Sequence, residues 1–175
     1  AALVPAMLLL HDFYFYWMHR FIHVSWIYPH VHRVHHLSTN PSALSAFAFH
    51  PLEAVLEAAG VIAIVALVPA PVPTLIGFGL FAFALNVLGH LGYEFVPARV
   101  LASPVGRWLN SSTSHNLHHR TFKAQYGLYT LIWDRAFGTY TIGIDFATLR
   151  YGLDDLDRRD TGRLLGLLVL PFANK

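Results

Sequence analysis

Histidine recurs in this 175-residue chain at a spacing that packing does not explain. His32, His35 and His36 stand at i, i+3, i+4, and so do His115, His118 and His119. A third cluster, His19 and His23, stands at i, i+4. On a helix, residues three and four apart share a face, with Cβ atoms roughly 5–6 Å apart. Each cluster therefore presents its imidazoles to one side. Adjacent buried histidines would each need a partner, and an unpaired buried polar group costs about 1–3 kcal/mol. A metal ion satisfies them together. The fold must then bring segments from His19 to His119 to one place.

One ion takes about four ligands. Eight clustered histidines, with His90 as a ninth, fit two ions better than one. All-imidazole sites suit Zn, Cu, Fe or Ni. The His-Glu-x-x-His motif of a zinc protease is absent. None of Glu53, Glu57 or Glu94 opens the Glu-x-x-His pair of a ferritin-like di-iron site. A haem held by two histidines would leave the others unexplained. Cysteine is absent, which excludes disulfides, thiolate ligands and cysteine nucleophiles. His11 and His30 lie outside the clusters and read as packed or surface residues, while His50 is left open.

Composition sets the class of fold. Hydrophobic residues make up 55 % of the chain and charged residues 13 %, against about 45–50 % and about 25 % in ordinary soluble domains. The expectation is an all-α, integral membrane helical bundle, in one domain over 1–175. Residues 1–28 read as one apolar, aromatic helix that Pro29 ends. Its Tyr14, Tyr16, Trp17, Trp26 and Tyr28 suit a membrane–water interface. Residues 30–36 read as a short helix carrying the second cluster, followed by turn residues Ser38 to Ser42. Pro51 suits the first position of a new helix.

Two apolar runs follow, Leu52 to Val68 and Thr74 to about Gly92, broken by Pro69-Ala70-Pro71-Val72-Pro73. Each approaches the roughly 17–25 residues that span a bilayer, so together they predict a transmembrane hairpin. No Lys or Arg occurs between Arg33 and Arg99. By the positive-inside rule the flanking segments are cytosolic, which returns His90 to the side of the clusters. The predicted molecule is multi-pass, with a cytosolic helical cap carrying the histidines. Ser111-Ser112-Thr113 predicts the N-cap of the third cluster's helix. The acidic stretch 145–163 is polar, and Leu164 to Phe172 is too short to span and predicts a surface segment. The basic residues lie beside the clusters and apolar runs, which does not suggest nucleic-acid binding.

Taken together, the residues resemble a family. His19-x-x-x-His23, His32-x-x-His35-His36 and His115-x-x-His118-His119 look like the three histidine boxes of the fatty acid hydroxylase/sterol desaturase superfamily. Asp12, Tyr16-Trp17-x-His19-Arg20 is similar to that family's first box. Phe49-His50-Pro51-Leu52-Glu53 resembles a segment of its sterol C-5 desaturase branch, and Tyr126-Gly127 with Trp133 to Thr139 resembles the stretch after its last box. The resemblance covers about residues 11–172.

It implies a membrane oxygenase with a non-haem di-iron centre (two Fe ions, Zn as a possible substitute) that uses O2. Such an enzyme oxidises an unactivated C–H bond of a membrane lipid, giving a hydroxyl group or a double bond. It also implies electrons from NAD(P)H through a reductase and a cytochrome b5-like or ferredoxin-like partner. Carried over residue by residue, the metal ligands are His19, His23, His32, His35, His36, His90, His115, His118 and His119. Asp12 and Tyr16 carry catalytic roles. Asp12 shares a face with His19, and is either an acceptor for an imidazole N–H or an interfacial carboxylate. Phe47, Phe49, Phe81 and Phe83 are candidate lipid-lining residues. Arg20, Arg33, Arg120 and Lys123 are either positive-inside signals or a dock for an acidic electron carrier.

There are departures. Asn86 stands where many hydroxylases have a histidine paired with His90, so either the site uses fewer ligands, or Asn86, His50 or His11 completes it. Gln125 stands where Asn often precedes Tyr-Gly. The chain starts at Ala1 without the helices that precede the boxes in typical members, so an N-terminally truncated domain is expected. A second class of function is a membrane metal-binding or transport protein that holds Zn or Fe. Transporters place ligands near the bilayer midplane, whereas these clusters lie outside the apolar runs.

Overall fold

The computed structural model describes residues 3–141. The predicted acidic stretch 145–163 and surface segment Leu164 to Phe172 lie outside the described residues. Within them the structure is all helical, with no strand and one isolated bridge between Leu109 and Thr130.

The long helix α1 (Leu3–Ile22) forms the spine. Its buried residues Met7, His11, Phe15, Met18 and Ile22 repeat every three to four positions, which is a single stripe on a helix. The helix is shorter than the sequence predicts. It stops at Ile22, and a turn leads to α2 (Tyr28–Val31). Pro29 opens α2 in its first turn rather than ending α1, because a first-turn proline loses no helical hydrogen bond.

The second cluster also differs from the expected short helix over 30–36. The helical turn ends at Val31, and a 3₁₀ turn follows at His35–Leu37. A further 3₁₀ turn, Ser45–Phe47, leads to α3 (Pro51–Leu67). Pro51 takes the first helical position as expected, and the His50 side chain caps the helix by accepting from the Leu52 N–H at 3.3 Å. After the Pro-rich break comes α4 (Val72–Gly89), then α5 (Ala98–Leu101), a 3₁₀ turn at Gly106–Trp108, α6 (Ser112–Thr121) and α7 (Ile132–Ala136).

α1 packs against both α3 and α4. One apolar cluster gathers Phe15, Met18, Ile22, Ile27, Leu128 and Tyr129, and a second joins Met7, Ile64 and Phe78 across the three long helices. α1 and α3 approach closely at Gly60, where an added Cβ would collide with the Tyr14 ring. The Tyr14 hydroxyl donates to the Leu56 carbonyl of α3 at 2.8 Å.

Among the described residues one helix, Val72–Gly89, is long and apolar enough to cross a membrane. α3 has 17 residues and carries Glu53 and Glu57. Both helices leave large apolar side chains exposed, among them Val55, Ile62 and Leu67 on α3 and Ile76, Leu80 and Phe81 on α4.

Candidate metal centre

Nine histidines converge in two groups. His19, His23, His32, His36 and His118 form one, and His35, His90, His115 and His119 the other. Within each group the ligand nitrogens lie within 4.8 Å of one another. All nine histidines read from the sequence as ligands are brought together. The groups cut across the clusters, however. The 3₁₀ geometry after Val31 sends His35 to one group and His32 and His36 to the other. α6 splits likewise, with His118 in the first group and His115 and His119, one turn apart, in the second. The groups abut, the His36 and His119 rings lying 4.5 Å apart between centroids.

The nitrogen spacings match a coordination shell. In the first group Nε2 atoms lie 3.0 Å apart for His19 and His32, 3.1 Å for His23 and His36, and 3.1 Å for His36 and His118. In the second they lie 3.2 Å apart for His35 and His90, 2.8 Å for His90 and His115, and 3.2 Å for His115 and His119. Two ligands about 2.1 Å from one ion and about 90–109° apart are themselves about 3.0–3.4 Å apart.

The tautomers point acceptors inward. Nδ1 of His19 donates to the Tyr126 carbonyl at 2.8 Å, and Nδ1 of His118 to the Ala124 carbonyl at 2.7 Å. Nδ1 of His90 donates to the Asn86 carbonyl at 2.8 Å, and Nδ1 of His119 to the Ser38 carbonyl at 2.9 Å. A carbonyl only accepts, so in each ring the proton sits on Nδ1 and a neutral ring is left with a bare lone pair on Nε2. Burial keeps these rings neutral. It pushes His118 down to about 4, and, with neighbouring histidines adding to it, holds His32, His35, His115 and His119 well below the ordinary histidine range. Inward-facing Nε2 lone pairs at this spacing are suited to ligate a cation. The donor set is all imidazole, which fits Fe, Zn, Cu or Ni.

The supports behind the rings were only partly legible. Nδ1 of His32 meets the Glu53 carboxylate at 2.6 Å, with both side chains buried. The sequence offered one clue, a carboxylate in the first turn of a mostly apolar helix. The loop between α6 and α7 supplies the Ala124 and Tyr126 carbonyls, and two buried carboxylates hold it. Asp134 accepts from the N–H groups of Tyr126 and Gly127 at 2.8 and 2.9 Å. Asp12 accepts from the N–H groups of Leu128 and Tyr129 at 2.9 and 2.7 Å, and from the Thr130 hydroxyl.

Asp12 therefore meets the backbone of this loop, not an imidazole as one sequence reading had it. The Tyr16 hydroxyl pairs with Thr139 Oγ1 at 3.0 Å and accepts from Arg20 at 3.2 Å, and its ring stacks on Phe137. Neither side chain is among the converging nitrogens. Each ties α1 to the segment after α6, as a positioning residue would. Gln125 lies in the left-handed region at φ 53°, a conformation asparagine tolerates better than glutamine, which gives the Asn of the family pattern a physical reason.

No ligand atom of His11, His50 or Asn86 belongs to either group. Asn86 contributes its backbone carbonyl, His50 caps α3, and His11 bonds Tyr129. Arg20, Arg33, Arg120 and Lys123 are all exposed. A cavity of about 330 Å³ opens between α1, α3 and α4. Its walls touch ligands of both groups: Phe15 meets the His19 ring at 5.0 Å, and Phe49 the His35 ring at 5.5 Å. Of the four predicted phenylalanines, Phe49 and Phe83 line it. Phe47 stacks on Phe83, and Phe81 faces outward.

The family model for fatty acid hydroxylase matches residues 4–139, which takes in every one of these histidines. The chain belongs to the fatty acid hydroxylase family. Relatives in this family include a very-long-chain aldehyde decarbonylase of Oryza sativa subsp. indica, 33 % identical over 73 % of this chain and 21 % of its own length. Delta(7)-sterol 5(6)-desaturases are similar too. That of Leptosphaeria maculans is 30 % identical over 78 % of this chain and 36 % of its own length. That of Aspergillus fumigatus is 31 % identical over 78 % and 38 %. The chain thus spans well under half the length of these family members. No solved structure matches it.

Proposed function

We propose that this chain carries the di-iron centre of an oxidoreductase that uses O2 to hydroxylate or desaturate an unactivated C–H bond of a membrane lipid, such as a sterol or fatty acyl chain. The observation that carries this reading is the two groups of Nε2 atoms, each the size of one coordination shell. Membership of the fatty acid hydroxylase family and the names of the relatives support a lipid substrate, and the likeness of the histidine boxes supports iron among the metals the donors allow. The same donors would accept Zn as a substitute. When bound, the iron pair supplies O2 activation and the power to abstract hydrogen. The protein's part is to hold nine neutral imidazoles, which add no negative charge and keep the centre electrophilic.

A membrane-embedded chain with a helical hairpin of α3 and α4 accounts for their exposed apolar faces, since a helix hydrophobic all round is buried in protein or lipid. α4 meets the length and hydropathy of a span. In this arrangement the histidines lie at the cytosolic ends of the helices, and the cavity between α1, α3 and α4 receives the lipid. Phe15, Phe49 and the Asn86 region form its end nearest the ligands. The exposed Arg20, Arg33, Arg120 and Lys123 suit an acidic electron carrier of the cytochrome b5-like or ferredoxin-like kind, reduced by an NAD(P)H reductase.

The test is single-turnover oxidation. Iron-loaded protein in nanodiscs, with a lipid extract, a chemical reductant and ¹⁸O2, is expected to give a lipid product carrying one ¹⁸O or lacking two hydrogens. Its yield should fall to background without O2. An unchanged lipid profile under O2 and reductant, with iron bound, overturns the reading in favour of a metal-holding membrane protein.

A further inference from the structure

The cavity is not uniformly apolar. His11, Glu57 and Tyr129 all line it. His11 is 6 % exposed, and its Nδ1 lies 2.8 Å from the Tyr129 hydroxyl. Burial, with Asp12 and Glu57 adding to it, keeps the Tyr129 phenol protonated. The phenol is the stronger donor of the pair, so Nδ1 accepts and Nε2 carries a proton. That Nε2 has no hydrogen-bond partner among the described residues, and neither has the Glu57 carboxyl. His11 is edge-on to Phe78, with 5.7 Å between ring centroids. It lies eight residues, about 12 Å of helix rise, before His19 on α1. Phe78 lies the same number of residues before Asn86 on α4. One end of the cavity thus meets the histidine groups, and further along it sits the His11–Tyr129 pair, with Glu57 lining the same cavity and acting electrostatically on Tyr129.

We propose that this part of the cavity is a recognition site for a hydroxyl group on an otherwise apolar lipid. It rests on the reading of the cavity as the lipid site. A hydroxyl both donates and accepts, which matches Glu57 as acceptor and His11 Nε2 as donor. A carboxylate fits poorly, because among the described residues no Lys or Arg lines the cavity to pair with a buried charge. An alkane leaves both groups unpaired in an apolar cavity, at about 1–3 kcal/mol each. Holding the hydroxyl there fixes which carbon, about 12 Å further along, faces the metal centre.

The test is equilibrium binding to the metal-loaded protein in detergent, with four radiolabelled probes: 1-hexadecanol, its methyl ether, hexadecanoate and cholesterol. The alcohol, the sterol or both should bind about tenfold more tightly than the ether and the acid. The two alcohol arms distinguish a fatty from a sterol source. Tyr129→Phe and Glu57→Gln should each reduce that preference severalfold, and metal content, measured on the same samples, should stay unchanged. Equal binding of all four probes by the wild type, or tighter binding of hexadecanoate, overturns the proposal without any variant. Loss of metal with the alcohol preference kept would strike the oxidation reading and leave this one standing.

Discussion

At the residue scale, Glu53 shows how a ring is aimed. Its carboxylate fixes which His32 nitrogen faces inward, at 2.6 Å and out of water. Groups of this kind typically contribute 10–100-fold to metal affinity. Glu53→Gln should therefore weaken the first group about tenfold or more by chelator competition, and an unchanged affinity would show that His32 is held by packing alone. The histidines themselves were legible because coordination needs convergent imidazoles and their spacing declares it. Glu53 was not legible as a support, since its partner lies 21 residues away and no spacing links a carboxylate at the head of α3 to a ring after α2. The carbonyl acceptors were hidden for a related reason: any residue has one, and only the fold chooses Ala124 and Tyr126.

At the scale of elements, the loop between α6 and α7 acts as a bracket. Asp134 and Asp12 accept from successive N–H groups along it, and its carbonyls accept from His118 and His19. Gly127 sits at its tightest point, where an added Cβ would collide with the Thr130 carbonyl. Gly127→Ala should displace the loop, release both rings and lower metal content together with the melting temperature. A variant that melts lower yet keeps its full metal would separate the bracket from the site. Asp12→Asn replaces an acceptor by a donor facing donors and should cost about 3 kcal/mol, read from denaturant unfolding in detergent. The starts of α3 and α4 were close to their sequence bounds because prolines mark them. α1 was read too long because a proline that opens one helix looks, in sequence, like one that closes another.

At the scale of the whole molecule, the fold is a spine and two helices arranged to bury charge-free imidazoles. The all-helical class was legible from apolar runs and breaks, whereas the parting of His35 from His32 and His36 arises at a 3₁₀ turn that spacing alone reads as helix. Burying neutral histidines has a consequence in acid. His118 is held near 4 in the folded chain against 6.5 for a free histidine. Between those values the unfolded chain binds protons that the folded one does not, so stability falls as the pH drops through that window. The melting temperature of metal-free protein should be level above about pH 7 and decline steadily below it; a level profile down to pH 4 would mean the rings are already protonated when folded. The most direct test of the central claim is metal content per chain after anaerobic purification in detergent, for wild type, His118→Ala, His119→Ala and the double variant that combines them. The two-group arrangement predicts about two irons in the wild type, about one in each single variant and none in the double variant. No stoichiometric metal in the wild type, or a full complement kept by the double variant, would contradict it.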